Sequence, residues 1–278
     1  MTNPIIDVAQ LASKLAKGGK VAIVDCRFDP LNHAAGPKVY AAEHIPGAHY
    51  AHLEDDLCAA DKRTGGRHPL PSEDEFNALM RRYGVDADTL LVCYDMGDLT
   101  AASRLWWTAS YYGLANVAVL NGGIPAWKAA GQAVDSKVPA AGNGNFVAVA
   151  NRSMRVDFQE VCYGEHRPTL VDARDPPRYS GEFEPIDSKA GHIPGAINIP
   201  WRTSLGEGGL LQSPEAMRTR WKSLFSEKSP PILYCGSGVT ACVNLLALEV
   251  AGLQGARLYP GSWSGWCQNG GAVATGNN

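Results

Sequence analysis

The chain has 278 residues, with 25 Lys+Arg against 28 Asp+Glu, a formal net charge of −3, 45% apolar and 19% charged residues. That length suffices for one or two cores of ordinary size, and the composition excludes a disordered or fibrous chain. No apolar run exceeds five residues, which excludes a membrane span, and the near-neutral charge gives no electrostatic reason to expect a nucleic acid or an anionic membrane as partner.

In chain order, Ile5, Ile6, Val8, Leu11, Leu15 and Ala16 are spaced like one face of a short helix, broken by Asp7 and Lys14, and unlike a signal peptide. The β-branched run 21–24 predicts a strand that leads into Asp25-Cys26-Arg27. The segment from Glu43 through His44, Ile, Pro and Gly to Ala48 reads as a tight turn feeding another strand. Residues 90–92 predict a strand, 99–112 a helix and 117–120 a further strand. Residues 135–155, rich in Ala, Gly, Asn and Ser, read as a linker crossing to a second domain. Beyond it, 170–171, 232–234 and 257–259 predict strands. The stretch 240–251 predicts a helix, with Val243, Leu246, Ala247 and Val250 at helical spacing.

These elements recur in order. Asp25 and Arg27 match Asp172 and Arg174 at an offset of 147, and His44-Ile-Pro-Gly-Ala48 matches His192-Ile-Pro-Gly-Ala196 at 148. The strand ending at Asp95 matches the one ending at Cys235 at an offset of 140, and Thr100-Ala101 answers Thr240-Ala241. Asn121-Gly-Gly-Ile-Pro-Ala-Trp127 answers Pro260-Gly-Ser-Trp-Ser-Gly-Trp266. Two copies of one domain follow. Strands alternating with helices predict an α/β class, each copy a mostly parallel sheet with helices on both faces.

The seven cysteines, at 26, 58, 93, 162, 235, 242 and 267, are odd in number, widely spread and contain no C-x-x-C pair. That pattern argues against a disulfide-stapled secreted domain or a zinc ribbon, and it points to reduced thiols and the cytoplasm. Cys235 stands apart. It ends a buried strand, and Gly236-Ser237-Gly238-Val239-Thr240 then opens a helix, at the end of a parallel sheet where ligands gather. The two glycines let successive N–H groups curl into an anion nest, and the helix start adds partial positive charge. A thiol there should exist substantially as thiolate, and the same cradle suits a persulfide. The other cysteines read as small core hydrophobes. A cysteine-phosphatase loop needs an arginine six residues after the cysteine, and that position is Ala241. No metal-ligand spacing, G-x-G-x-x-G or Walker loop occurs, so no metal and no organic cofactor are expected.

On these features the chain resembles the tandem rhodanese-like sulfurtransferases over nearly its whole length. The resemblance implies an N-terminal non-catalytic domain at 1–138, a linker at 139–154 and a catalytic domain at 155–278. It implies a site between the domains, where the Cys235 thiolate takes sulfur from a small-molecule donor, holds it as a persulfide and passes it on. The acceptor would be a small thiol, cyanide or a thioredoxin-like protein. The loop is similar to that of the 3-mercaptopyruvate enzymes, since Gly236 and Ser237 replace the cations that thiosulfate-specific animal rhodaneses usually carry. The resemblance further implies Ser237, His68 and Asp56 as a proton relay, and Arg178 as the arginine that holds the donor carboxylate. The backbone of Gly236, Ser237, Gly238, Val239 and Thr240 would bind the substrate sulfur. Taken by themselves, His68 equally reads as a solvated loop histidine, Asp56 as solvated charge beside Glu54 and Asp55, and Arg178 as an exposed loop cation. A second arginine usual in the mercaptopyruvate enzymes is replaced by Asp187, leaving Lys189 or Arg67 to supply that charge. Thiosulfate as main donor, and a non-catalytic binding or sulfur-carrier module, are the alternatives. Asp25, Arg27, His44, Asp172, Arg174 and His192 occur in both copies and read as scaffold.

Overall fold

The computed structural model describes residues 3–163, 168–226 and 228–277. The chain divides into two compact units. One comprises Met1–Ala59, Pro71–Asn151 and Glu207–Leu211, the other Ala60–Leu70, Arg152–Gly206 and Gln212–Asn278.

The first unit runs β1 (Ile5–Ile6), α1 (Val8–Ala16), β2 (Val21–Asp25), α2 (Ala35–Ala42), β3 (His49–Tyr50), α3 (Glu73–Arg82), β4 (Leu90–Tyr94), α4 (Thr100–Tyr111), β5 (Val117–Leu120) and α5 (Gly123–Ala129). Its five strands are all parallel, in the order β1-β5-β4-β2-β3. Capping boxes start α1 at Asp7 with Gln10 and α3 at Ser72 with Glu75, so the first free N–H groups of each helix have acceptors. The central strand β4 is buried on both faces, as a parallel sheet requires. Val92 and Tyr94 pack with Leu11 of α1 and Ile124 and Trp127 of α5. Leu91 and Cys93 face the other way and are equally buried, and α4 packs against β4 and β5.

The stretch expected as a linker at 139–154 is instead mostly part of this unit. Its backbone is strapped down by hydrogen bonds from Gly142 N–H to Arg82 O (2.7 Å), Gly144 to Arg81 (3.0 Å), Phe146 to Val85 (3.1 Å), Val149 to Tyr112 (3.0 Å) and Asn151 to Tyr111 (2.7 Å). Phe146 and Ala148 are buried. Loop-like composition did not mean loop-like freedom.

The second unit runs α6 (Phe158–Tyr163), β6 (Leu170–Asp172), α7 (Pro176–Ser180), β7 (Ile197–Asn198), α8 (Pro214–Trp221), β8 (Ile232–Tyr234), α9 (Ala241–Val250), β9 (Arg257–Leu258) and α10 (Ser262–Gln268). Its strands are parallel in the order β7-β6-β8-β9. A single parallel bridge from Arg155 to Leu258 stands where β1 stands in the first unit. Ile232 and Tyr234 pack with Tyr179, Ile193, Trp263 and Trp266, while Leu233 is buried on the opposite face. The α/β class read from the sequence is the one observed in both units.

The repeated polar motifs are scaffold. Arg27 forks onto Asp25 and donates to Glu43 O, and Arg174 forks onto Asp172 and donates to Gly191 O. His44 bonds Tyr40 O and stacks on that ring at 4.1 Å, and His192 does the same with Tyr179 at 3.9 Å. Each pair ties the turn before Ile-Pro-Gly to the preceding helix. Among the described residues, no helix is long and apolar enough to cross a membrane, and none of the seven cysteines forms a disulfide.

Candidate active site

Cys235 follows directly on β8, and its loop lies between that strand and α9. The residue is 2% exposed, yet its immediate company is polar. Its N–H donates to Ser262 Oγ at 3.1 Å, its carbonyl accepts from Trp263 N–H at 2.9 Å, and Gly236 O accepts from Ser264 N–H at 2.9 Å. The Gly-Ser-Trp-Ser-Gly-Trp motif that opens α10 therefore fixes the cysteine loop from beneath. Ser262 holds a left-handed backbone, φ 51, which a side chain adopts only at a cost, and its hydroxyl also donates to Tyr259 O.

In the loop itself, the N–H groups of Gly236, Ser237, Val239 and Thr240 donate to no acceptor among the described residues, and Gly236, Ser237 and Val239 are buried residues. Unused buried donors are costly in a protein unless something negative meets them. The first unit supplies the comparison. Asp95 ends β4 as Cys235 ends β8, and its carboxylate accepts N–H bonds from Gly97 (2.9 Å), Leu99 (3.1 Å) and Ala102 (3.1 Å). There the nest is filled by its own side chain; in the second unit the side chain at its head is a thiol.

Two guanidinium groups lie over the start of this loop. A Cβ built on Gly236 would lie 3.2 Å from Arg67 Nη2 and 3.3 Å from Arg178 Nη2, so glycine is what lets both cations approach the backbone beside Cys235. Arg178 comes from α7, which Pro176 and Pro177 start and Gly181, at φ 83, ends. Arg67 comes from the segment 60–70, anchored by Gly66 N–H on Gln268 Oε1 (3.1 Å) and Arg67 N–H on Ser264 Oγ (3.0 Å). Next to Arg67, His68 Nδ1 lies 2.8 Å from Ser237 Oγ, and both residues are buried.

Carboxylates organise the cations. Asp187 bridges them: Oδ1 pairs with Arg67 Nη1, and Oδ2 accepts from Arg178 Nη2 at 2.9 Å. Glu184 accepts from Arg178 Nη2 (2.7 Å) and Nε (3.0 Å) and from Arg174 Nη1 (3.2 Å). Burial works to raise the Glu184 carboxyl, but the Arg178 hydrogen bond and the Asp187 N–H outweigh it and hold the group below the ordinary glutamate value. Arg174 also lies over the Trp263 ring at 4.9 Å, so the charged chain is continuous with the motif under Cys235.

Of the residues named from the sequence, the second unit thus brings together Cys235, Ser237, His68, Arg178 and the loop from Gly236 to Thr240. Of the two alternatives for the missing cation, Arg67 is beside the loop, while Lys189 is exposed and contributes its carbonyl to Trp263 Nε1. Asp56 belongs to the first unit, where its carboxylate accepts from Arg82 Nη2 (2.5 Å) and His52 N–H (2.8 Å). Sequence reasoning missed Ser262, Ser264 and Glu184. The signal for Ser262 was available in the repeat, since its counterpart Gly123 has φ 56, and a serine where a glycine suffices asks for a reason. Among the described residues no group of three or more His, Cys, Asp or Glu is placed to hold a metal ion.

Comparison with known proteins agrees with the repeat. The rhodanese-like domain matches residues 7–130 and again 160–269. A probable 3-mercaptopyruvate sulfurtransferase of Pseudomonas aeruginosa is 40% identical over 268 residues, covering 94% of each chain. A putative thiosulfate sulfurtransferase, SseB, of Mycobacterium tuberculosis is 38% identical over 271 residues, covering 94% of this chain and 93% of its own. The crystal structure of the 3-mercaptopyruvate sulfotransferase SseA from Escherichia coli superposes with a TM-score of 0.83 at 32% identity, covering 95% of this chain and 100% of that one. With two matched domains, a shared fold and relatives aligned along nearly its full length, the chain belongs to the rhodanese-like family.

Proposed function

We propose that the chain is a sulfurtransferase that moves sulfur from 3-mercaptopyruvate, through a persulfide on Cys235, to a thiol, cyanide or thioredoxin-like acceptor. The observation that carries this reading is a single one. A cysteine heads a buried loop of free N–H groups, two guanidiniums lie over that loop, and a serine–histidine hydrogen bond sits within it.

The chemistry balances without a cofactor. The Cys235 thiolate attacks the donor sulfur, the new S–S bond forms as the S–C bond breaks, and the electron pair leaves with the enolate of pyruvate. The thiol proton ends on that enolate carbon, carried there by Ser237 with His68, whose mutual hydrogen bond supports this role. The persulfide anion lies against the loop N–H groups, as a preorganised cradle stabilises charge where it develops. An acceptor thiolate or cyanide then takes the outer sulfur and restores the thiolate. Arg178 and Arg67 orient the donor carboxylate. Asp56 stays the candidate for the third member of the relay, with a carboxylate that also accepts from Arg82 and the His52 amide.

The second reading, thiosulfate as main donor, draws on the cations at the loop and on the name of the mycobacterial relative. Steady-state rates separate the two: mercaptopyruvate gives the higher kcat/KM, and a higher value for thiosulfate reverses the assignment. Intact-mass spectrometry after incubation with each donor tests the class itself. One sulfur atom is gained by the wild type and none by Cys235→Ser; no gain with either donor leaves a binding or carrier module.

A further inference from the structure

Resting on the sulfurtransferase reading, we infer that Asp187 is a donor-selecting residue, whose carboxylate holds Arg67 and Arg178 together over Gly236 and tunes the site for a monoanionic donor against a dianionic one.

Asp187 has a side chain only 3% exposed, with one oxygen on each guanidinium, and Glu184, at 2%, takes a second share of Arg178. The two cations and two carboxylates beside the loop are formally neutral as a set. A pocket with both arginines and neither acid would favour a dianion such as thiosulfate roughly twice as strongly as a monocarboxylate, because Coulomb attraction scales with ligand charge. Each buried carboxylate removes part of that advantage. Hydrogen-bonding capacity remains, since a guanidinium has five N–H donors and Asp187 occupies one on each. Arg67 and Arg178 therefore keep N–H groups for the donor carboxylate while their net charge is offset. Asp187 also sets their spacing, because its two oxygens face two different residues drawn from segments more than a hundred positions apart.

The test is the ratio of kcat/KM for thiosulfate to that for 3-mercaptopyruvate, measured for wild type, Asp187→Asn, Asp187→Glu and Cys235→Ser. Asparagine keeps the size and one acceptor while removing the charge. Asp187→Asn is expected to raise the thiosulfate ratio about tenfold or more, since the added positive charge acts on both charges of the dianion. Asp187→Glu, which retains the charge, keeps the ratio near the wild-type value even where both rates fall. Glu184→Gln makes the same charge change from the neighbouring carboxylate, raises the ratio in the same direction, and serves if Asp187→Asn does not fold. A purely structural role lowers both donors by the same factor, and an unchanged ratio in folded Asp187→Asn or Glu184→Gln overturns the inference while leaving the Cys235 chemistry intact. If the wild type turns over neither donor, or Cys235→Ser is as active as the wild type, the underlying reading fails and the inference with it.

Discussion

Ser262 sits at φ 51 with its hydroxyl on the Cys235 N–H, and the matching position in the first unit is Gly123 at φ 56. Two substitutions separate conformation from hydrogen bonding. Ser262→Ala keeps the strained backbone and strands a buried N–H, which costs about 1–3 kcal/mol by the usual price of an unmet donor. Ser262→Gly also loses the bond but relieves the backbone, so it is expected to be less destabilised in urea unfolding, and both variants lose turnover because the cysteine loop is no longer pinned. Equal losses for the two would show that the left-handed conformation carries no strain. Asp95 gives a second prediction. Burial, and then the neighbouring Asp98, push its carboxyl up to about 7, against the three N–H bonds that favour the charged form. The sign follows from linkage: the folded chain binds a proton that the unfolded chain has released above about pH 4, so this group's contribution is fully present at low pH and is lost as pH rises to 7 and beyond. Thermal unfolding of the wild type should therefore lose stability between pH 5 and 8 by a component that Asp95→Asn removes. A pH slope unchanged in that variant contradicts the raised value.

The strap from Gly142 to Asn151 makes its prediction as an element. A Cβ at Gly144 would meet Val85 O at 2.2 Å and Val85 N at 2.4 Å, so Gly144→Ala forces the strap off α3 and β4's approach and should cost about 1–3 kcal/mol, as overpacking does. A tethering linker would accept alanine without loss, which a denaturant titration would reveal. The same strap marks where sequence reading ends. Apolar runs placed β2, β4, β5, β8 and α4 within a residue or two, because burial on both faces of a parallel sheet writes itself into composition. The strap is held by main-chain bonds, and those leave no trace in residue type. Cys235 was legible for a related reason, since a strand, two glycines and a helix are local features. Arg67 was legible only as an option, because its place over Gly236 depends on residues 60–70 packing with α10 through Gln268 and Ser264, contacts some two hundred positions distant. Glu184 was illegible, its role being set by two arginines and two backbone N–H groups that no spacing rule brings together.

Across the whole chain, one fold is used twice with different chemistry, and the difference is located in a few residues. Both units end a central strand at a loop of N–H groups, but the first places a carboxylate there and the second a thiol. At the position that matches Arg178, the first unit carries no cation. Leu31, 87% exposed, stands where the repeat puts Arg178, and Met96 stands where Gly236 lets the guanidiniums approach. If the nest alone made the cysteine a sulfur carrier, a thiol moved to the first loop would serve as well. If the cations are needed to hold the donor, it would not. The double variant Asp95→Cys/Cys235→Ser decides between these. It should gain no sulfur from 3-mercaptopyruvate in intact-mass spectrometry, although the thiol at position 95 heads the same kind of loop. Cys235→Ser alone should likewise gain none, and Asp95→Cys alone should gain a single sulfur, on a peptide containing Cys235. Sulfur found on position 95 in the double variant would mean that the backbone cradle is sufficient and that Arg67 and Arg178 are dispensable for loading.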